Sequence, residues 1–196
     1  MSYRSVVVAV AVIVLCAFGL QSPAQCVVGT NGALTFDGVN DECVIPSNPL
    51  LSGFSDFTIE VWYRSLGPNG GGLGWGSFVS QRSPTNDDAF EFGIGPAGLE
   101  ADIRTGSSWI YVYAAGVLGD QVWHHAAFQQ SGSTLRLYLD GALRGTASVP
   151  GHMNASSASI RFGGLGAYYL FNGQLDEVRI WNLARTQAQI QSNMTV

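Results

Sequence analysis

Apolar and polar residues alternate along most of the chain with the two-residue period of a half-buried β-strand. The pattern is clearest where Phe57, Ile59, Val61 and Tyr63 interleave with Thr58, Glu60, Trp62 and Arg64. Leu99, Ala101 and Ile103 interleave in the same way with Glu100, Asp102 and Arg104, and Phe90, Phe92 and Ile94 with Glu91 and Gly93. Leu135, Leu137 and Leu139 stand against Arg136, Tyr138 and Asp140, and Asp140-Gly141 predicts a tight hairpin returning through Ala142–Ser148. Shorter stretches of strand character are Ala33–Phe36, Cys43–Ile45, Phe78-Val79, Trp109–Tyr113, Val122–Phe128, Ser159–Phe162 and Leu175–Trp181. Only Leu183–Met194 has helix-like composition, enough for a turn or two. Roughly a dozen short strands with no long helix between them predict an all-β fold, an antiparallel two-sheet jelly-roll sandwich. No segment repeats at the period of a solenoid or propeller. The stretch Gly67–Gly76, with six glycines in ten residues, is the longest predicted loop.

The N-terminus breaks the pattern. Arg4 precedes an apolar run from Val6 to Leu20, and Ser22-Pro23-Ala24 then places small residues where signal peptidase inspects them. A membrane anchor is the competing reading, but the run falls short of the roughly 20 residues that span a bilayer. Residues 1–24 therefore read as a signal peptide and 25–196 as the jelly-roll domain, secreted to the extracellular space or the cell envelope, with no membrane span in the mature chain. Removal of the leader takes Cys16 with it. Cys26 and Cys43 remain, an even number suited to an oxidising compartment. They form either a disulfide or two buried thiols; a bridge across 17 residues is worth on the order of 3 kcal/mol.

Composition narrows the function. All nine basic residues are Arg, they lie singly, and the net charge is −5, so no basic patch exists for nucleic acid. C-x-x-C and zinc-ligand spacings are absent, as is the Gly-x-Ser-x-Gly elbow of many hydrolases. His124 shares its face with Val122, Ala126 and Phe128 and reads as a satisfied core histidine; His125 lies opposite, beside Trp123.

Five stretches together resemble the laminin G-like family of jelly rolls, related to pentraxins and to concanavalin A-like lectins and glucanases. They are Ala33–Asp41, Phe57–Trp62, Trp123–Ala127, Leu137–Gly141 and Phe171–Trp181, in the family's order. The resemblance implies an extracellular recognition or adhesion module for a glycan or a protein, at times with a bound calcium ion, and not an enzyme. Glu42-Cys43 departs from the aromatic–aliphatic pair usual after Asn-Asp, which favours a local disulfide and puts in doubt any ligand role borrowed for that hairpin.

Several residues carry candidate chemistry. Period two puts Asp176 on one face with Val178 and Ile180, where a lone carboxylate needs a partner. Calcium shared with the Asp37–Asp41 turn would satisfy it, making Asp37, Asp41 and Asp176 the metal candidates; a backbone cap or an Arg partner would serve equally. Trp109, Tyr111 and Tyr113 share one face of a strand that is apolar on both sides, which suggests a central strand. They form either a sugar-stacking platform or core. Trp75, in its glycine-rich loop, is the candidate exposed aromatic. Glycosidases of this fold class carry Glu-x-Asp-x-x-Glu on one strand; here Glu100 and Asp102 match but Thr105 takes the third place, leaving Glu91 next door as a substitute acid. Otherwise Glu100, Asp102 and Arg104 read as a solvated face with an internal ion pair. A second rival is a structural protein that associates with itself through its sheet edges. Asn154-Ala155-Ser156 and Asn193-Met194-Thr195 match the N-glycosylation pattern.

Overall fold

Side chains that take turns on either side of a strand bury one face of each sheet against the other, and that is how this chain is built. The computed structural model describes residues 7–8, 27–28, 32–46, 53–72, 74–83, 87–115 and 119–194. In chain order these hold β1 (Val7–Val8), β2 (Val27–Val28), β3 (Leu34–Asp37), β4 (Cys43–Ile45) and β5 (Phe57–Ser65). Then come β6 (Gly76–Gln81), β7 (Phe90–Gly95), β8 (Gly98–Thr105), β9 (Ser108–Ala114) and β10 (Trp123–Ser131). Last are β11 (Thr134–Leu139), β12 (Ala142–Ser148), β13 (Ile160–Phe162), β14 (Asn172–Trp181) and one helix, α1 (Gln187–Ser192). Sheet A runs β12-β11-β10-β5-β14-β3-β2, and sheet B runs β4-β13-β6-β7-β8-β9. Every pairing is antiparallel. The expected jelly-roll sandwich is present.

The core between the sheets is aromatic at its centre. Phe78 is stacked on Tyr63 at 4.7 Å and meets Phe92 and Phe171 edge-on at 5.5 and 5.1 Å. Asp140 and Gly141 both have positive φ, 50° and 71°, as a two-residue type I′ hairpin between β11 and β12 requires. The helix forms inside the predicted Leu183–Met194 segment. Its N-cap Thr186 and Gln189 make a capping box, and Ile190 is buried against Ala127 and Tyr138 on the outer face of sheet A. The segment leading into it closes over β5: Arg185 pairs with the buried Glu60 at 3.3 Å, and Thr58 Oγ1 donates to the Leu183 carbonyl. Both faces of β5 are thereby covered.

Three expectations need correction. Strand β9, which carries Trp109, Tyr111 and Tyr113, is the edge of sheet B and not a central strand. Its two-sided apolar character has another cause, because only Ile110, Val112 and Ala114 face the core. Second, the alternation in β14 slips at a bulge between Asp176 and Arg179, with Glu177 at φ 49°. One extra residue reverses the phase, so Leu175, Val178 and Ile180 are buried and Asp176 does not share their face. Third, Glu100, Asp102 and Arg104 are no solvated face: Asp102 is 6% exposed, and neither acid pairs with Arg104. Residues 1–24, expected to be a leader, lie outside the described residues apart from Val7–Val8, which pairs with Ile180 and Trp181. Cys26 also lies outside them; Cys43 is buried and disulfide-bonded.

Candidate functional site

The outer face of sheet B is where the chain departs from a plain solvated surface. On β7 the outward positions are Glu91, Gly93 and Gly95; on β8 they are Glu100, Asp102 and Arg104; on β9 they are Trp109, Tyr111 and Tyr113. The register sets Glu91 directly opposite Asp102, Asp102 opposite Tyr111, and Glu100 between Gly93 and Tyr113. Three carboxylates therefore lie within one or two strand spacings of each other, bordered by aromatic rings.

Two loops complete the site. A Cβ on Gly93 would sit 2.8 Å from the Trp75 ring, and one on Gly95 would sit 2.7 Å from it, so the indole lies in a slot that these glycines leave open. Trp75 is thus half-buried on the sheet, where the sequence suggested an exposed ring. Its loop is anchored by the buried Asn69, which donates to the Ile94 carbonyl at 2.9 Å and accepts from the Asn172 N–H at 3.2 Å. The second loop, residues 163–171, brings Tyr169 edge-on to Trp75 with centroids 5.2 Å apart. Tyr169 has φ 55°, a strained conformation for a bulky residue, and its carbonyl accepts from the Ser77 N–H at 2.8 Å. Glu42 ties this loop down by accepting from the Gly166 N–H at 2.9 Å while pairing with Arg161 at 2.7 Å.

Between the loops opens a cavity of about 220 Å3, walled by Trp75, Tyr111 and Tyr169 and floored by Glu91, Glu100 and Asp102. Arg82 reaches in from the end of β6 and pairs with Glu91. A second cavity, about 540 Å3, lies beyond Arg82 and Tyr169 and is lined by Asp88, Arg161, Leu165 and Tyr168 among others. The two cavities share the Arg82–Tyr169 wall.

Burial dominates the electrostatics. It pushes Glu91 up to about 7, against the pull of Arg82. Burial and then the neighbouring Glu91 charge push Asp102 to about 8. Glu100 is also raised by burial, with the Trp75 indole opposing. Glu91 Oε1 and Asp102 Oδ1 are buried with no hydrogen-bond partner among the described residues.

The three β9 aromatics separate into two kinds. Trp109 is covered by guanidinium groups, Arg82 at 4.7 Å and Arg104 at 5.4 Å from its ring centre. Tyr111 and Tyr113 are open to solvent, 43% and 57% exposed, with rings nearly parallel at 11° and 6.1 Å apart. The metal candidates are not brought together. Asp37 accepts from the Val39 N–H and Asp41 from the Asp37 N–H, while Asp176 caps the Glu177 N–H at 2.8 Å. Asp37 pairs in register with Asn172, so Asp176 stands four strand positions away, roughly 13 Å. Among the described residues no group of three or more His, Cys, Asp or Glu side chains is arranged around a metal position. His124 packs on Tyr63, with its ring nitrogens 2.9 Å from Asp120 and Asp140. Burial disfavours its charged form, but the two aspartates outweigh that and raise its pKa. His125 is buried beside Trp62 and Glu60.

Sequence reasoning missed Arg82, Tyr168 and Tyr169. The two tyrosines follow Gly163-Gly164-Leu165-Gly166, so the argument that singled out Trp75 applies to them as well. Arg82 had no local signal, since its partner Glu91 is reached only once β6 and β7 pair.

A family model described as the concanavalin A-like lectin/glucanases superfamily, of the laminin G type, matches residues 37–191. The chain is a laminin G-like member of that superfamily. No curated protein sequence matches it. Among solved structures, the binding domain of Paraclostridial Mosquitocidal Protein 1 is similar with a TM-score of 0.69 at 17% identity, over 89% of this chain and 46% of that one. The laminin G-like chain thus spans about half the length of that structure. Domain 4 of the extracellular arabinanase AbnA from Geobacillus stearothermophilus, solved with arabinotriose, gives 0.64 at 20% identity, covering 89% of this chain and 81% of that one. The CBM40 of a Ruminococcus gnavus sialidase, bound to α2,3-sialyllactose, gives 0.60 at 13%, covering 78% of this chain and 95% of that one. At these identities the likeness is one of fold.

Proposed function

We propose that this laminin G-like domain is a secreted glycan-binding module that does no chemistry on its ligand. A sugar chain docks on the outer face of sheet B, with one ring in the Trp75–Tyr111–Tyr169 cavity and the next against Tyr113. The observation that carries the reading is the convergence of the half-buried Trp75 and Tyr169 and the exposed Tyr111 on buried carboxylate oxygens that have no partner among the described residues: rings take the C–H face of a sugar and acids take its hydroxyls. That two solved relatives of the fold were captured with arabinotriose and sialyllactose supports the same choice of ligand class.

The acids argue for binding over hydrolysis. Glycosidases set two carboxyls to opposite roles, one protonated and one ionised, by giving them divergent surroundings. Here burial drives Glu91, Glu100 and Asp102 in one direction, and Arg82 engages Glu91. No hydrolysis of β-glucans by the wild type is the expected result; activity abolished by Glu100→Ala would reverse this reading.

A glycan array followed by calorimetry tests the proposal. Tyr111→Ala should weaken the best array hit three- to tenfold, roughly the worth of one stacking contact, with no change in the melting midpoint. Gly95→Ala should weaken it as well, because the added Cβ would come within 2.7 Å of the Trp75 ring and lift it from its slot. Unchanged affinity in both variants would place the ligand elsewhere. Export and the Cys26–Cys43 bridge belong to the same proposal. The secreted protein should start after Ala24, and Cys43→Ser should cost on the order of 3 kcal/mol of stability, read by chemical denaturation.

A further inference from the structure

The charge of the cavity does not suit a neutral sugar. Three carboxylates line it against one guanidinium, and that guanidinium is already committed to Glu91 and to the Trp109 ring. Among the described residues neither Glu100 nor Asp102 has an ion-pair partner. Glu91 is 2% exposed and Asp102 6%, each with a carboxylate oxygen that no group among the described residues satisfies. A neutral hydroxyl would donate one hydrogen bond but would not offset the cost of ionising acids this deeply buried, which without a countercharge stay at least partly protonated at neutral pH. An ammonium group donates three hydrogen bonds and supplies the missing charge. The walls favour it too, since Trp75, Tyr111 and Tyr169 line the cavity and aromatic rings attract a cation through their quadrupoles. The whole chain, at net charge −5, attracts cations from a distance.

We propose that the ring seated in this cavity is an amino sugar with a free ammonium group, held by Glu91, Glu100 and Asp102 inside the aromatic walls. This rests on the glycan reading above and names the sugar class. Size agrees: about 220 Å3 lies below the ~300–1,000 Å3 of pockets that enclose a drug-sized ligand, so a single ring enters and the rest of the chain stays outside. The consequent selectivity is against the N-acetylated form of the same sugar, whose nitrogen carries no charge and whose acetyl group adds bulk at the carboxylates.

Calorimetry of the purified full-length domain with three probes decides the matter: a glucosamine tetramer, the N-acetylglucosamine tetramer and cellotetraose. The glucosamine tetramer should bind at least tenfold more tightly than either other probe. Glu100→Gln, at a half-exposed position, should cut that preference to threefold or less while leaving the melting midpoint unchanged, and Asp102→Asn should do the same to the preference. Equal or tighter binding of the acetylated or neutral tetramer overturns the charged-sugar inference and leaves the glycan reading standing. A preference that survives both substitutions also overturns it. No binding of any tetramer, together with a blank array, removes both.

Discussion

Raising the pH from 5 to 9 should lower the thermal midpoint of this domain by roughly 10–20 °C, and Asp102→Asn should abolish more than half of that fall. The reason lies in two carboxyls that folding removes from water. Glu91 ionises near 4.5 in the unfolded chain and about 7 in the folded one, and Asp102 moves from 3.8 to about 8. For an acid raised on folding, the folded state holds its proton longer than the unfolded state does. The stabilisation is complete below the unfolded values and is lost as the pH climbs through 7 and 8. The displacement is worth roughly 3 kcal/mol at Glu91 and roughly 6 kcal/mol at Asp102, about 6 kcal/mol of the total is lost between pH 5 and 9, and for a chain of this length each kcal/mol moves the midpoint by roughly 2–4 °C. His124, raised by Asp120 and Asp140, loses its contribution in the same direction, so the wild-type profile alone does not identify the cause. The Asn variant does, because it removes the buried acid and leaves the histidine. Aspartates held below their ordinary value, such as Asp87 and Asp120, act in the acid range and do not contribute between pH 5 and 9. A midpoint flat across that range would show that the acids stay hydrated, and the charge argument for the cavity would fall with it. A saturating cationic glycan should flatten the profile too, by stabilising the ionised acids.

What the sequence made legible is the part that depends on period. Alternation in β5, β7, β8 and β11 assigned inward and outward residues correctly, and Asp140-Gly141 marked its hairpin because few residues other than glycine, asparagine and aspartate tolerate positive φ there. Period fails where the backbone gains a residue. The β14 bulge has no glycine to announce it, only Glu177 forced to φ 49°, and so alternation alone puts Asp176 on the wrong face. Strand order fails for a different reason: alternation says which side a residue faces but not which strands are neighbours. Two-sided apolarity therefore suggests a central strand for Tyr111 and Tyr113, and nothing in the period links Arg82 to Glu91. The position of Trp75 was half legible. Gly93 and Gly95 occupy two successive outward positions of β7, and a strand face without side chains leaves a slot that a nearby ring can fill. Reading those glycines together with the tryptophan would have put the indole on the sheet.

Replacing Phe78 with alanine should cost 3–5 kcal/mol, the usual range for emptying a fully buried aromatic site. Phe78 has no exposed surface and touches Tyr63 on β5, Phe92 on β7 and Phe171 just before β14, so its ring joins both sheets. Three aromatic neighbours fixed on separate segments cannot all collapse into the void, which places the expected cost toward the upper end. Denaturant titration should show the midpoint shift at unchanged slope, and Phe78→Leu should recover more than half of the loss by refilling most of the volume. The substitution also reaches the site. The β6 register shifts between Ser77 and Val79, which turns Phe78 inward while its neighbour Ser77 donates to the Tyr169 carbonyl. Freed from its ring contacts, that bulge no longer fixes the strained Tyr169 wall, and glycan affinity should fall together with stability. Tyr111→Ala should lower affinity alone. Loss of affinity in Phe78→Ala with an unaltered midpoint would contradict this coupling, because it would mean that the wall is held by contacts other than the core beneath it.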